Sequence, residues 1–239
     1  MKTWHPSQNT LLNIQRKEND LIKNFEWYLR RFTRKYERGR TFDGPSLYFH
    51  FRAIKISSNM SVEEKLQDER FLEYVYATLA SWGMHRMGDT KTKITNFGKL
   101  KSEVTNHRNN ILELENIKIW EIDNIFLQDI FPLLRSVLNQ MKISISKAPL
   151  VSNTKILHHI LPNLIIPIDR NYTLKYFGIN TQAPSQYYAS DIFKYLYPHL
   201  IKVAQSKQDF IIDKINLDEE NWNTSFTKII DNAIIGSLI

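Results

Sequence analysis

The chain has no cysteine, and that absence removes disulfides, thiol nucleophiles, thiolate zinc sites and iron–sulfur clusters together. Glycine and proline are sparse, 7 and 8 in 239 residues. That is too few for a fold of many tight hairpins, and it suits long helices with short connections. Missing too is any apolar run of about 18 residues, the length a membrane-spanning helix needs. The start, MKTWHPSQNT, has no apolar stretch of the signal-peptide kind, so the expectation is a cytoplasmic protein without membrane contact. No GxGxxG, P-loop or GxSxG pattern occurs, which leaves nucleotide cofactors and serine-hydrolase chemistry without a foothold. No cofactor is expected.

What is present has ordinary globular balance, 42% hydrophobic and 24% charged, in a chain long enough to bury a core. The net charge of +7 is informative once located. Residues 1–60 hold 12 Lys and Arg against 5 Asp and Glu, a surplus of 7, while 61–239 hold 20 against 20. Arg30, Arg31, Arg34, Lys35, Arg38 and Arg40 crowd together, with Phe32 and Tyr36 between them. Such a local field suits a polyanion such as nucleic acid, and a solvated helix face explains it equally well.

Hydrophobic period predicts helices throughout, hence an all-α, mainly helical fold in a single domain over 1–239, with one lobe or two left open. Its basic part is 1–60 and its helical core 61–239. Leu21, Phe25, Leu29, Phe32 and Tyr36 make one stripe of a long helix over 8–38. The aromatic-rich stretch Ser46 to Ile56 is of undetermined type. Ser61 and Glu64 read as a capping box opening a helix that runs through Leu66, Leu72, Val75, Leu79 and Trp82 to Gly83 or Gly88. A further helix carries Phe97 through Leu114, another spans 124–141 with a kink at Pro132, and one runs from Ser152 to just before Pro162. Asp169 then caps a helix from Arg170 to Phe177 closed by Gly178, and helices near 184–207 and 220–235 finish the chain. From Asp209 onward 6 acidic residues face 2 basic ones, so the charge is lopsided from end to end.

The seven histidines include no pair at metal-ligand spacing, and His158 and His159, being adjacent, point apart. No metal site is expected. Glu63, Glu64 and Lys65 lie in a first helical turn, where acids meet the helix dipole, so capping explains them better than nuclease chemistry.

Residues 151–178 differ in kind. Lys155 lies within a helix, Pro167-Ile168-Asp169 opens the next one, and Lys175-Tyr176-Phe177-Gly178 closes it. This segment resembles the core of the helix-hairpin-helix DNA glycosylase superfamily. It is also similar to a group of bacterial proteins that join such a segment to an upstream Ser-Trp-Gly-Met, present here at Ser81, Trp82, Gly83 and Met84 and followed by His85 and Arg86. Residues 142–154 hold no glycine, unlike the Gly-rich hairpin of that superfamily.

The resemblance implies a helix-hairpin-helix glycosylase-like fold and a monofunctional N-glycosyl hydrolase acting on double-stranded DNA as a monomer. Asp169 would stabilise oxocarbenium character at the sugar and direct water to it, held ionised by its capping N–H groups. Lys155 is either a Schiff-base nucleophile or, preferably, a phosphate contact at a helix start beside Asn153 and Thr154. Trp82, His85 and Tyr172 would stack the flipped base, with Arg30, Arg31, Arg34, Lys35, Arg86, Asn153, Thr154 and Arg170 on the DNA. By analogy with the bacterial relatives, the base is expected to be a hypermodified phage cytosine, such as glucosylated hydroxymethylcytosine, and the setting anti-phage defence. The alternative is a non-catalytic nucleic-acid-binding protein on the same scaffold.

Overall fold

In the computed structural model, residues 2–36, 44–84, 93–145 and 149–239 are described. Among them there is no strand, and two isolated bridges join Lys2 with Tyr187 and Ile94 with Ser144. The mainly helical reading therefore holds.

The first helix, α1 (Gln8–Tyr36), buries Leu21, Phe25, Leu29 and Phe32, the stripe its sequence spacing defines. Each such side chain removed from water is worth about 1.5–3 kcal/mol. The aromatic-rich stretch is helical too, as α2 (Pro45–Ser57), with proline in its first turn, where no amide donor is missed. Next come α3 (Val62–Gln67) and α4 (Glu69–Leu79). The single helix expected from Ser61 to Trp82 is broken because Asp68 is extended and accepts the Phe71 N–H at 2.6 Å, recapping the chain. The Ser61–Glu64 capping box forms as expected. After α4 a wide turn, Ala80–Met84, ends at Gly83, whose φ of 78° is the left-handed conformation that glycine tolerates best.

The run from Phe97 to Leu114 divides at His107 into α5 (Phe97–Asn106) and α6 (Arg108–Leu112). Helix α7 (Asn124–Gln140) carries Pro132, and α8 (Pro149–Ile160) starts before Ser152. A short α9 (Ala183–Gln186) precedes α10 (Ala189–Ser206), α11 (Gln208–Lys214) and α12 (Phe226–Ser237). Sequence period merges α9 with α10 and misses α11, and it starts the last helix too early because Ser225, accepting the Lys228 N–H, is the true cap.

The buried apolar side chains form one cluster from Trp4 to Ile234. Its decisive packing is α1 against α12. A Cβ on Gly236 would lie 2.0 Å from the Tyr28 carbonyl oxygen, so only glycine lets the two backbones approach this closely. α1 and the C-terminal part of the chain are therefore neighbours in space, with Phe25 against Phe210 and Phe32 against Trp222. No described helix is long and apolar enough to cross a membrane.

Candidate active site

Asp169 is placed by local chemistry. It is extended, with φ −118° and ψ 149°, and its carboxylate accepts the Asn171 N–H at 2.8 Å, the expected N-cap. Its own N–H donates to Thr173 Oγ1 at 3.1 Å. The second carboxylate oxygen accepts from Lys155 Nζ at 3.0 Å. One residue earlier on α8, Thr154 joins the two segments: its hydroxyl oxygen accepts the Ile168 N–H at 3.0 Å and donates to Leu150 O at 2.8 Å. Burial alone would raise the Asp169 carboxyl, but the Lys155 ammonium and the capping N–H groups outweigh it and hold the group below the ordinary carboxylate range. Asp169 is thus ionised at neutral pH.

This pair borders a cavity of about 390 Å³. Phe32, Tyr36, Trp82, Tyr172 and Trp222 form its flat walls, and Lys228 and Asp231 give it a polar end. The Tyr172 hydroxyl is pushed up, first by burial and then by Tyr36 beside it, so it remains a neutral donor. A second cavity of about 420 Å³ shares Trp82, Lys155 and Asp169 with the first and is lined by polar side chains including Lys93, Ser144, Arg170 and Gln182. The Lys155–Asp169 pair stands where the two spaces meet.

Of the residues expected from sequence, Asp169, Lys155, Trp82 and Tyr172 converge on the first cavity, and Arg170 borders the second. Arg31, Arg34 and Lys35 line a surface recess, within one helical turn of Phe32 and Tyr36. Arg31 stacks on Trp27 at 4.6 Å. Arg30 is exposed, with Glu26 3.6 Å away. His85 and Arg86 lie outside the described residues, as do Arg38 and Arg40.

Two expected DNA contacts are corrected. Asn153 and Thr154 are fully buried, and their hydrogen bonds are structural. Asn153 Nδ2 donates to the carbonyls of Val137, Leu138 and Met141, at 3.3, 3.1 and 2.9 Å, closing the end of α7. The preferred phosphate role of Lys155 fails with them. Because α8 begins at Pro149, Lys155 is not at a helix start, and its ammonium is turned inward to Asp169 with only 8% of the side chain exposed.

Sequence reasoning missed Lys228, Asp231 and Trp222. Their signal in the sequence was faint: Lys228 and Asp231 stand three apart beside Thr227 and Asn232, a pattern that reads as an ordinary polar helix face. Their Nζ and Oδ2 atoms are 2.6 Å apart, and the side chains are 4% and 8% exposed. Burial raises the Asp231 carboxyl, and the Lys228 ammonium opposes that without reversing it.

Behind the cavity the histidines meet after all. His158 and His159 do not point apart as expected: their rings meet edge to face with centroids 5.1 Å apart, and His50 from α2 reaches both, at 5.7 and 5.1 Å. Hydrogen bonds fix the tautomers. His159 Nδ1 donates to Lys155 O at 2.8 Å, so its Nε2 accepts from His50 Nδ1 at 3.0 Å. His50 Nε2 must then accept from the Thr224 hydroxyl at 2.7 Å. Burial lowers all three histidines, His159 to about 4, so the cluster is neutral. It backs both tryptophans: His50 is 5.4 Å from Trp82 and 5.7 Å from Trp222, centroid to centroid. Among the described residues no group of three or more His, Asp or Glu side chains is arranged to hold a metal.

No family model, no curated protein and no solved structure matches this chain.

Proposed function

We propose that the protein is a DNA N-glycosyl hydrolase that takes a flipped base into the aromatic cavity and cleaves its bond to the sugar at Asp169. The observation that carries this reading is a convergence. An ionised carboxylate, its lysine partner and several flat walls meet in one cavity beside the basic end of α1.

Each part supports a step. Arg31, Arg34 and Lys35 offer charge to phosphates without regard to sequence. Trp82 and Tyr172 offer the stacking that replaces what an extruded base loses. As the C1′–N bond breaks, its electron pair leaves with the base and positive charge grows at the sugar. The Asp169 carboxylate stabilises that charge and accepts a proton from the water that attacks C1′. Lys155, tied to Asp169, orients the carboxylate. A Schiff-base role needs an unprotonated, unpaired amine, so the ion pair supports hydrolysis without strand cleavage.

The second cavity, with its polar lining, extends the proposal to a base that bears a sugar, such as glucosylated hydroxymethylcytosine of phage DNA. Unmodified, hydroxymethylated and glucosylated duplexes incubated with the protein and probed for abasic sites test it. The expected result is abasic product, greatest on the glucosylated duplex. Absence of product on every duplex would return the chain to a binding role.

A further inference from the structure

The buried Lys228–Asp231 pair lining the cavity has no part in the hydrolysis just described. A buried ion pair is weak as a device for stability, because desolvating both charges offsets much of their attraction. This one is also incompletely used. Lys228 Nζ has three donors and, among the described residues, one hydrogen bond, to Asp231 Oδ2 at 2.6 Å. The ammonium is ringed by aromatic faces, 5.1 Å from Trp222, 5.7 Å from Trp82 and 5.9 Å from Phe32. Asp231 Oδ1 has no hydrogen bond among the described residues. Both side chains line the cavity, so the spare donors of one and the spare acceptor of the other sit between its flat walls. A slot of this kind fits a planar heterocycle that presents an acceptor beside an N–H donor.

We propose that Lys228 and Asp231 read the pairing edge of a cytosine-type base, Asp231 accepting from the exocyclic amine and Lys228 donating to the neighbouring ring nitrogen or carbonyl. The inference rests on the glycosylase reading for the direction in which the base enters, since Asp169 fixes the sugar end. Carboxylates are natural partners of the cytosine amine. With the base held that way, uracil or thymine would set a carbonyl oxygen against the Asp231 carboxylate, which repels it. The cytosine C5 substituent lies off the pairing edge, so hydroxymethyl or glucosyl groups leave both contacts intact and extend toward other space.

Binding measured without catalysis separates this inference from the glycosylase reading. Cytidine and uridine nucleosides are titrated against the protein while the fluorescence of Trp82 and Trp222, the cavity walls, is followed. Wild type is expected to bind cytidine at least tenfold more tightly than uridine. Asp231→Asn, whose amide can donate to a carbonyl, is expected to reverse or erase that preference. The double variant Lys228→Gln with Asp231→Asn removes both charges together, so no lone charge is left buried, and it provides a folded comparison if the single variant unfolds. Equal binding of the two nucleosides by wild type, or an unchanged preference in a folded variant, overturns the inference. Selective cytidine binding without base release from any DNA would instead uphold it and remove the catalytic reading.

Discussion

Asp169 is the residue whose two tasks separate most cleanly. Asparagine caps a helix about as well as aspartate, so Asp169→Asn should keep the cap and the DNA affinity, lose some stability because Lys155 is left without its carboxylate partner, and lose transition-state stabilisation of about 2–4 kcal/mol. Thermal melting and a binding assay check the first half and turnover the second. The histidine cluster carries a different prediction. His159, His50 and His158 are held neutral by burial, His159 down to about 4 from the ordinary 6.5. Between those values the unfolded chain binds more protons than the folded one, so stability is complete above 6.5 and declines as pH falls toward 4. His159 alone contributes on the order of 3 kcal/mol. Urea midpoints measured across that window should fall steeply with acid, and a flat profile would contradict buried neutral histidines. Asp169 was legible from sequence because a Pro-x-Asp before a helix is a local pattern. The His50–His159 bond and the Lys228–Asp231 end of the cavity were not, since they join or expose residues through tertiary packing that no periodicity reports.

Among the elements, α1 does two things with one sequence. Its inward stripe ends in Phe32 and Tyr36, which wall the cavity, and its outer faces carry Arg31, Arg34 and Lys35. Replacing those three cations with glutamine should weaken binding to every DNA and flatten its salt dependence, by about 0.9 in log–log slope for each phosphate no longer neutralised. An unchanged slope would make them a solvated face. The α1–α12 crossing supplies a second prediction. In Gly236→Ala the new methyl meets the Tyr28 carbonyl, a backbone atom that cannot rotate away, and the overpacking should cost about 1–3 kcal/mol in a calorimetric melt. Strong apolar stripes made α1, α7 and α12 readable. The breaks at Asp68 and His107 escaped the same reading, because a polar residue mid-stripe looks like surface until its cap hydrogen bond or its non-helical φ and ψ are seen.

For the whole molecule, the fold draws the site from both chain ends and the middle. α1 and α12 close on the Lys155–Asp169 segment, and Trp82 enters from the turn after α4. Deleting either terminal helix should abolish nucleoside binding along with catalysis, because α1 gives the Phe32 and Tyr36 walls and α12 the Lys228–Asp231 pair. With Lys155 ion-paired to Asp169, borohydride should trap no covalent DNA adduct, and a trapped adduct would make the lysine a nucleophile. The central claim is that this cavity breaks an N-glycosidic bond with Asp169. Its most direct test is mass spectrometry of free base released from a panel of natural and hypermodified DNAs, by wild type and by Asp169→Asn side by side. The predicted result is a released base and a matching abasic site with wild type only. Release by the folded Asn variant at the wild-type rate, or by neither protein on any DNA, would contradict it.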